Sequence, residues 1–442
     1  MSRIIISNQL TEETVEGENA LPDDYVQFIG KVAHRLVWLA RENDVVVLPS
    51  WPDEDFVDYV WRQLGVTGSA PTIVVPPSGR QGNGLLYDDR LRDSAFVAEL
   101  KKLVEVNGVN EVVPFFFDQS IAWLCRELKL EGAVPGFDFL DQGGNELVNS
   151  KSVFRAVAAG NGADIPFGRV VASRQEAEDV IWSLLADEKI VIVKQDFHGG
   201  GYGNEILSPV EGTDGFGAAG VTTIANRSAL AAHVATMWER YSQGGRRKVV
   251  VEHYIQNAVP IYVELTITDQ AAELYGYGEM RMKETDRGPT NTGLLIPPPS
   301  TSLPAFPGFV ESATRIGEAV RGLGYRGNIS IDAIVLPTGE ILFNEFNGRV
   351  GGSTHAHLIA ETLVAPDYLD DRVLVVRSRC SWSSVASAVA ALDGLGLAYD
   401  PATRTGALIT GDDGQCIVVA ETLDAARAVE DRLVDVLGLV AV

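Results

Sequence analysis

The run NISIDAIVLPTGEILFNEFNGRVGG, residues 328–352, constrains the fold more than any other segment. Two apolar runs flank PTGE (337–340), a turn signal, and predict an antiparallel hairpin. With Thr338 and Gly339 as the central turn residues, Pro337 opposes Glu340, and each step outward places Asp332 opposite Glu345. Side chains alternate along a strand, so Asn347 shares the face of Glu345 and Asp332. Opposed carboxylates repel each other across a ladder and call for a cation between them. Carboxylate and amide oxygens are hard ligands that suit Mg²⁺. The alternative reading of these residues is a solvated polar hairpin face. Arg349 follows two residues on, ahead of the Gly351–Gly352 pair.

A second signal is VIVKQDFHGGGYGN, 191–204, in which a buried strand ends at Lys194 and runs into Gly199, Gly200, Gly201 and Gly203. Glycines let backbone N–H groups approach an anion and permit positive φ. A lysine beside them suits phosphate as a point charge. No GK[ST] follows, so this is not a Walker A loop, and a flexible hairpin tip is the plain alternative. A third, weak signal is KVVVEHYI (248–255), where a strand ends in Glu252, Tyr254 and Ile255.

The chain of 442 residues predicts two to four domains. RIIIS (3–7), DVVVLP (44–49) and PTIVVP (71–76) read as buried strands. The stretches 25–40 and 53–65 have helical spacing, so the first third is a doubly wound α/β domain. PFFFD (114–118) reads as a further buried strand whose Phe side chains could also line a substrate groove. From about 143 to 300 the strands KIVIVK (189–194), RKVVVEHYI (247–255) and IYVELTIT (261–268) dominate. A helix over 310–324 precedes the hairpin, and a β-α-β-β-α pattern follows about residue 370. The boundaries are thus 1–142, 143–368 and 369–442, with the middle unit divided near 250.

The formal charge of −24 argues against a general nucleic-acid partner. No window approaches the ~18 apolar residues of a membrane span, and the start MSRIIISNQL lacks an apolar signal core, so a cytoplasmic protein without a membrane partner is expected. Cys125, Cys380 and Cys416 lie far apart along the chain and read as small buried hydrophobes.

Together and in this order, over roughly 145–365, these residues resemble the ATP-grasp superfamily. The resemblance implies an α/β fold, α+β in the core, that binds ATP with Mg²⁺, or Mn²⁺ in its place. Lys151 in NSKSVFRA is similar to the family's first nucleotide lysine and Lys194 to the second, with His198, Gly199, Gly200 and Gly201 in the mobile loop over the phosphates. Glu252 and Ile255 would be the adenine-contacting hinge, and Glu264 the nearest candidate for the acidic ribose contact. Asp332, Glu345 and Asn347 match the magnesium triad, and Arg349 the arginine that follows it. For the arginine meeting the transferred phosphate, Arg281 is the choice, with Lys283 beside it and Arg326 as the rival. Ser353 or Thr354 would cap a helix carrying His355 and His357. Lys283, Ser353 and His355 are the candidate substrate contacts.

The flanks narrow the resemblance. Residues 32–66 are similar to the pre-ATP-grasp domain, and 403–433 to the small terminal domain, of pheganomycin-type peptide ligases. What this implies is an ADP-forming ligase that joins a small-molecule carboxylate to an amine, an amino acid or peptide, through an acyl phosphate. A carboxylase-like or nucleotide-biosynthetic ligase, or a non-catalytic ATP-binding regulator, is the alternative. The oligomeric state stays open, a homodimer being the usual outcome for soluble enzymes.

Overall fold

The computed structural model describes residues 2–13, 23–198, 201–213, 215–283, 290–434 and 437. Three sheets organise them.

The first sheet is wholly parallel, built of β1 (Ser2–Ile6), β2 (Val45–Val47), β3 (Thr72–Val74) and β4 (Val109–Pro114) in the order β3-β2-β1-β4. Its central strands are uninterrupted apolar runs, as a parallel sheet covered on both faces requires. Aspartates start its helices. Asp53 accepts from the backbone N–H of Asp55 and Phe56, and Asp93 from that of Phe96. The expected helix over 25–40 is two pieces, an α-helix Asp23–Val32 and a 3-10 helix Ala33–Leu39. PFFFD is not a strand: β4 stops at Pro114, and Phe115, Phe116 and Phe117 are buried beyond its end.

The second sheet comprises β5 (Gly168–Val171), β6 (Val191–Gln195), β7 (Asn204–Ser208), β8 (Val221–Thr223) and β9 (Val249–His253), ordered β5-β9-β6-β7-β8. Val191, Val193, Val249 and Val251 pack among residues of the helices Arg174–Ala186 and Arg227–Tyr241. The opposite parity, Ile192, Lys194 and Glu252, therefore points the other way.

The third sheet joins β10 (Val259–Ile267), β11 (Ala272–Lys283), β12 (Thr290–Ile296), β13 (Gly327–Val335), β14 (Ile341–Asn347), β15 (Val373–Arg377), β16 (Gly406–Gly411) and β17 (Gln415–Ala420), in the order β14-β13-β10-β11-β12-β15-β17-β16. Ile261, Val263, Leu265 and Ile267 bury one face with the helix Phe306–Leu323. Gly317 of that helix has to be glycine, since an added Cβ would lie 2.6 Å from Leu265 and 2.9 Å from Ala272. The other face of β10, β13 and β14 carries Tyr262, Glu264, Ser330, Asp332, Glu345 and Asn347.

Residues 373–420 continue the third sheet through β15. The helix Lys151–Gly160, assigned from sequence to the glycine-loop lobe, packs on β14, where the Phe154 and Phe346 rings meet edge to face at 5.3 Å. The three cysteines are buried and free, but two come together, with Cys380 Sγ 3.8 Å from Cys416 Sγ. No helix among the described residues is long and apolar enough to cross a membrane.

His34 ties the first sheet's domain to the turn between β16 and β17. Its Nδ1 lies 2.8 Å from Oδ2 of Asp412 and its Nε2 2.9 Å from Ser50 Oγ. Asp412 also accepts from the backbone N–H of Asp53 at 2.9 Å.

Candidate active site

The hairpin of β13 and β14 places Asp332 opposite Glu345 and Ser330 opposite Asn347, as the sequence predicts, but by a different route. The loop has three residues, with Leu336 opposite Glu340 and Gly339 at φ +87°. That moves the register by one residue near the turn. A bulge at Asn344 then moves it back, since Ala333 pairs Phe343 while Asp332 pairs Glu345.

The cluster is knit together. Asn347 Nδ2 donates to Asp332 Oδ2 at 3.1 Å, and Ser330 Oγ donates to Oδ1 at 2.7 Å. Burial, followed by the charge of Glu345, pushes the Asp332 carboxyl up to about 7. Burial also opposes ionisation of Glu345, yet Lys151, Lys194 and Arg349 outweigh it and hold that carboxyl below its usual range. Lys151 Nζ lies 3.3 Å from Glu345 Oε2 and donates to the His198 carbonyl at 2.9 Å. Asp196, just past β6, accepts from Ser150 Oγ at 2.9 Å and from the Ser152 N–H at 2.8 Å, which brings the start of the Lys151 helix to the end of the Lys194 strand.

Lys194 Nζ stands 2.5 Å from Oε2 of Glu252, whose other oxygen pairs with Arg155. Arg155 was not singled out from the sequence, although it lies one helical turn after Lys151 and so shares its face. Beside this pair lies a small apolar patch of Ile192, Ile206 and Tyr254, with Ile190 and Ala218 packed on it. Parity with Lys194 and Glu252 was the signal for it. Ile255 is half-buried just beyond β9. Gly201 sits at φ +78° in the loop, and the His198 and Tyr202 rings are 6.4 Å apart. Gly199 and Gly200 lie outside the described residues.

Several expectations need correcting. Glu264 is not open to a ribose: it is fully buried and accepts hydrogen bonds from Ser353 Oγ (2.8 Å) and Thr354 Oγ1. Those hydroxyls therefore do not cap the helix Thr354–Ile359; they moor the loop after Arg349 to β10. Arg281 is not with the triad. Its strand parity is opposite to Gly278, the partner of Tyr262, and its guanidinium is held by Glu430, with contacts of 2.6 and 3.2 Å. Arg326 is likewise engaged, with Asp269 at 2.8 Å. Of the three arginines, Arg349 is the one whose charge acts on both Asp332 and Glu345. Lys283 ends β11 opposite Thr290, and His355 is buried in the first turn of the helix Thr354–Ile359. His357, neutral because burial lowers it to about 3, hydrogen-bonds the Tyr262 and Tyr368 hydroxyls. Gly276 makes room for it, since a Cβ there would lie 2.4 Å from the imidazole.

Among the described residues there is no group of three or more His, Cys, Asp or Glu that could hold a metal. The site instead offers two carboxylates and one amide. A divalent cation fits this set: two half-buried carboxylates face each other across the ladder, and burial with the charge of Glu345 forces Asp332 up to about 7.

Residues 33–130 match the family described as the Pre ATP-grasp domain, and residues 387–433 the PGM1 C-terminal domain. The [butirosin acyl-carrier protein]–L-glutamate ligase of Niallia circulans is 22% identical over 353 residues, 78% of this chain and 70% of that protein. Biotin carboxylase of Campylobacter jejuni, solved with a β,γ-ATP compound, superposes with a TM-score of 0.59 at 13% identity, over 98% of this chain and 91% of that one. N5-carboxyaminoimidazole ribonucleotide synthetase of Thermus thermophilus does so with a TM-score of 0.57 at 14% identity, over 100% of both.

Proposed function

We propose that this chain is an ATP-grasp superfamily ligase and, on that premise, an ADP-forming carboxylate–amine ligase that makes a peptide or amide bond. The observation that carries the reading is the opposition of Asp332 and Glu345 with Asn347, Lys151, Lys194 and Arg349 around them. The pre-ATP-grasp and PGM1 C-terminal matches and the N. circulans relative support it.

ATP with Mg²⁺ supplies activation of a carboxylate as its acyl phosphate, and Asp332, Glu345 and Asn347 would hold the metal. Lys151 and Lys194 are the cations for the nucleotide phosphates. Each is paired with an acid of the site, so a phosphate exchanges one anionic partner for another. The patch of Ile192, Ile206 and Tyr254 beside Glu252 is a floor for an adenine ring. Arg349 would grip the acyl phosphate or its parent carboxylate through a bidentate contact. Charge neutralisation and positioning are the main demands of phosphoryl transfer, and these residues meet them. Closure of the loop around Gly201 would exclude water, which an acyl phosphate does not survive.

The test is ADP release with Mg²⁺ and a panel of amino acids, dipeptides and short peptides, with product masses determined. ADP release that requires an acid and an amine, with a product lighter by one water than their sum, supports the reading. Release driven by bicarbonate alone points to a carboxylase, and absence of release to a binding module.

A further inference from the structure

Outside the cluster around Asp332, one buried cation has no use in the chemistry above. Arg35 lies on the 3-10 helix Ala33–Leu39, which packs against the helix Thr354–Ile359 on one side and β16 on the other. It is only 8% exposed, and its Nε has no hydrogen-bond partner among the described residues. The acid whose charge reaches it is Asp413, which accepts from Gln415 Nε2 at 2.9 Å through one oxygen while its Oδ1 is orphaned. Burial lowers the guanidinium to about 10, so it stays charged at neutral pH. A buried guanidinium with an unpaired N–H is costly, and native proteins rarely keep one unless a partner arrives.

Arg35 has a neighbour in the same condition. His355 is 2% exposed, and neither ring nitrogen makes a hydrogen bond of good geometry with a described residue, although the Gly352 backbone lies close. Burial first, and then the charge of Arg35, holds the imidazole well below its ordinary value, so it is neutral with one N–H to donate. His355 follows directly on the Arg349–Thr354 segment that Glu264 moors. Two buried donors with unpartnered nitrogens thus lie on helices that pack together, close enough for the charge of Arg35 to act on His355.

We propose that Arg35 and His355 form a carboxylate-binding site for the amine-bearing substrate, an amino acid or peptide whose own carboxylate stays free. This rests on the ligase reading above. The carboxylate to be activated must lie by Arg349 and the metal ligands, and the cations that govern Glu345 are Lys151, Lys194 and Arg349. Arg35 is not among them, so it suits an anion that keeps its charge through the reaction. Anchoring that end would leave the substrate's amine free to attack the activated carboxylate.

The experiment uses the full chain and Arg35→Met. Thermal shift without ATP is measured with glycine, L-alanine, L-glutamate and diglycine, each beside its C-terminal amide. The wild type binds at least one free acid about tenfold or more tightly than its amide, the scale of one charge-assisted contact, and Arg35→Met abolishes that difference. A wild type without carboxylate preference, or a preference that survives in Arg35→Met, overturns the site. Arg35→Met leaves the Asp413 carboxyl without the cation that faces it, so the unliganded variant is expected to melt below the wild type, and Arg35→Met with Asp413→Asn to recover the Tm while still lacking the carboxylate preference. A carboxylate preference that persists in the double variant overturns the proposal. ADP release separates the two readings. If amino acids drive it while Arg35→Met keeps the preference, this site falls and the ligase stands; if the preference depends on Arg35 but no acid–amine pair releases ADP, the ligase reading falls.

Discussion

Lys194 and Glu252, read from the sequence as contacts to different ends of one nucleotide, are paired with each other: Nζ and Oε2 are 2.5 Å apart across β6 and β9. On the proposed function, a nucleotide would enter by exchange, its phosphates taking the place of Glu252 at Lys194.

Lys194→Ala should weaken ATP binding about 10- to 100-fold, the scale of a lost charge-assisted contact. Glu252 keeps Arg155, so the fold should survive. Calorimetric titration checks affinity and circular dichroism the fold. Unchanged affinity would remove Lys194 from the nucleotide site.

Glu345→Ala should lower kcat by about 100-fold or more while the protein stays folded, and EDTA should silence the wild type to the same degree. Lys151 loses its acidic partner in this variant. Full activity in the presence of Mg²⁺ would sink the metal assignment.

Arg281→Ala should leave ATP affinity unchanged and cost stability, about 1–3 kcal/mol. It removes a two-point contact to Glu430, which retains Arg377. Denaturant unfolding measures the loss. A large fall in nucleotide affinity with stability intact would return Arg281 to the phosphate site.

Asp118 gives a pH test away from the chemistry. It starts the helix Gln119–Leu128, accepting from the Ile121 N–H at 2.9 Å, and burial pushes its carboxyl from 3.8 to about 7. A raised folded-state value means that the fold holds a proton that the unfolded chain releases. Its stabilisation is full below the unfolded value and is lost as pH rises through the folded one. Asp118→Asn keeps a good cap and cannot ionise. Its Tm should match the wild type near pH 4 and exceed it near pH 8; equal Tm at both would refute the shift.

The triad's strand pairing was legible because alternation along a strand is local. The turn was misplaced by one residue, and the bulge at Asn344, which no local pattern announces, restored the alignment. Arg155 carried a visible signal, one turn from Lys151, but its partner Glu252 lies 97 residues away. Arg281 looked suited to phosphate by position in the chain, yet strand parity turned it toward Glu430, 149 residues on.

What the sequence determined by itself was the order of the motifs, the run of strands and helices, and which residues share a strand face. These follow from periodicities of two and 3.6, which act over a few residues. Only the tertiary structure decided which groups partner which: Lys151 with Glu345, Lys194 with Glu252, Glu264 with the Ser353 and Thr354 hydroxyls, and Arg35 left with an unpaired Nε among the described residues. Charge pairing depends on distance in space and on the removal of water, and both are set when distant elements pack.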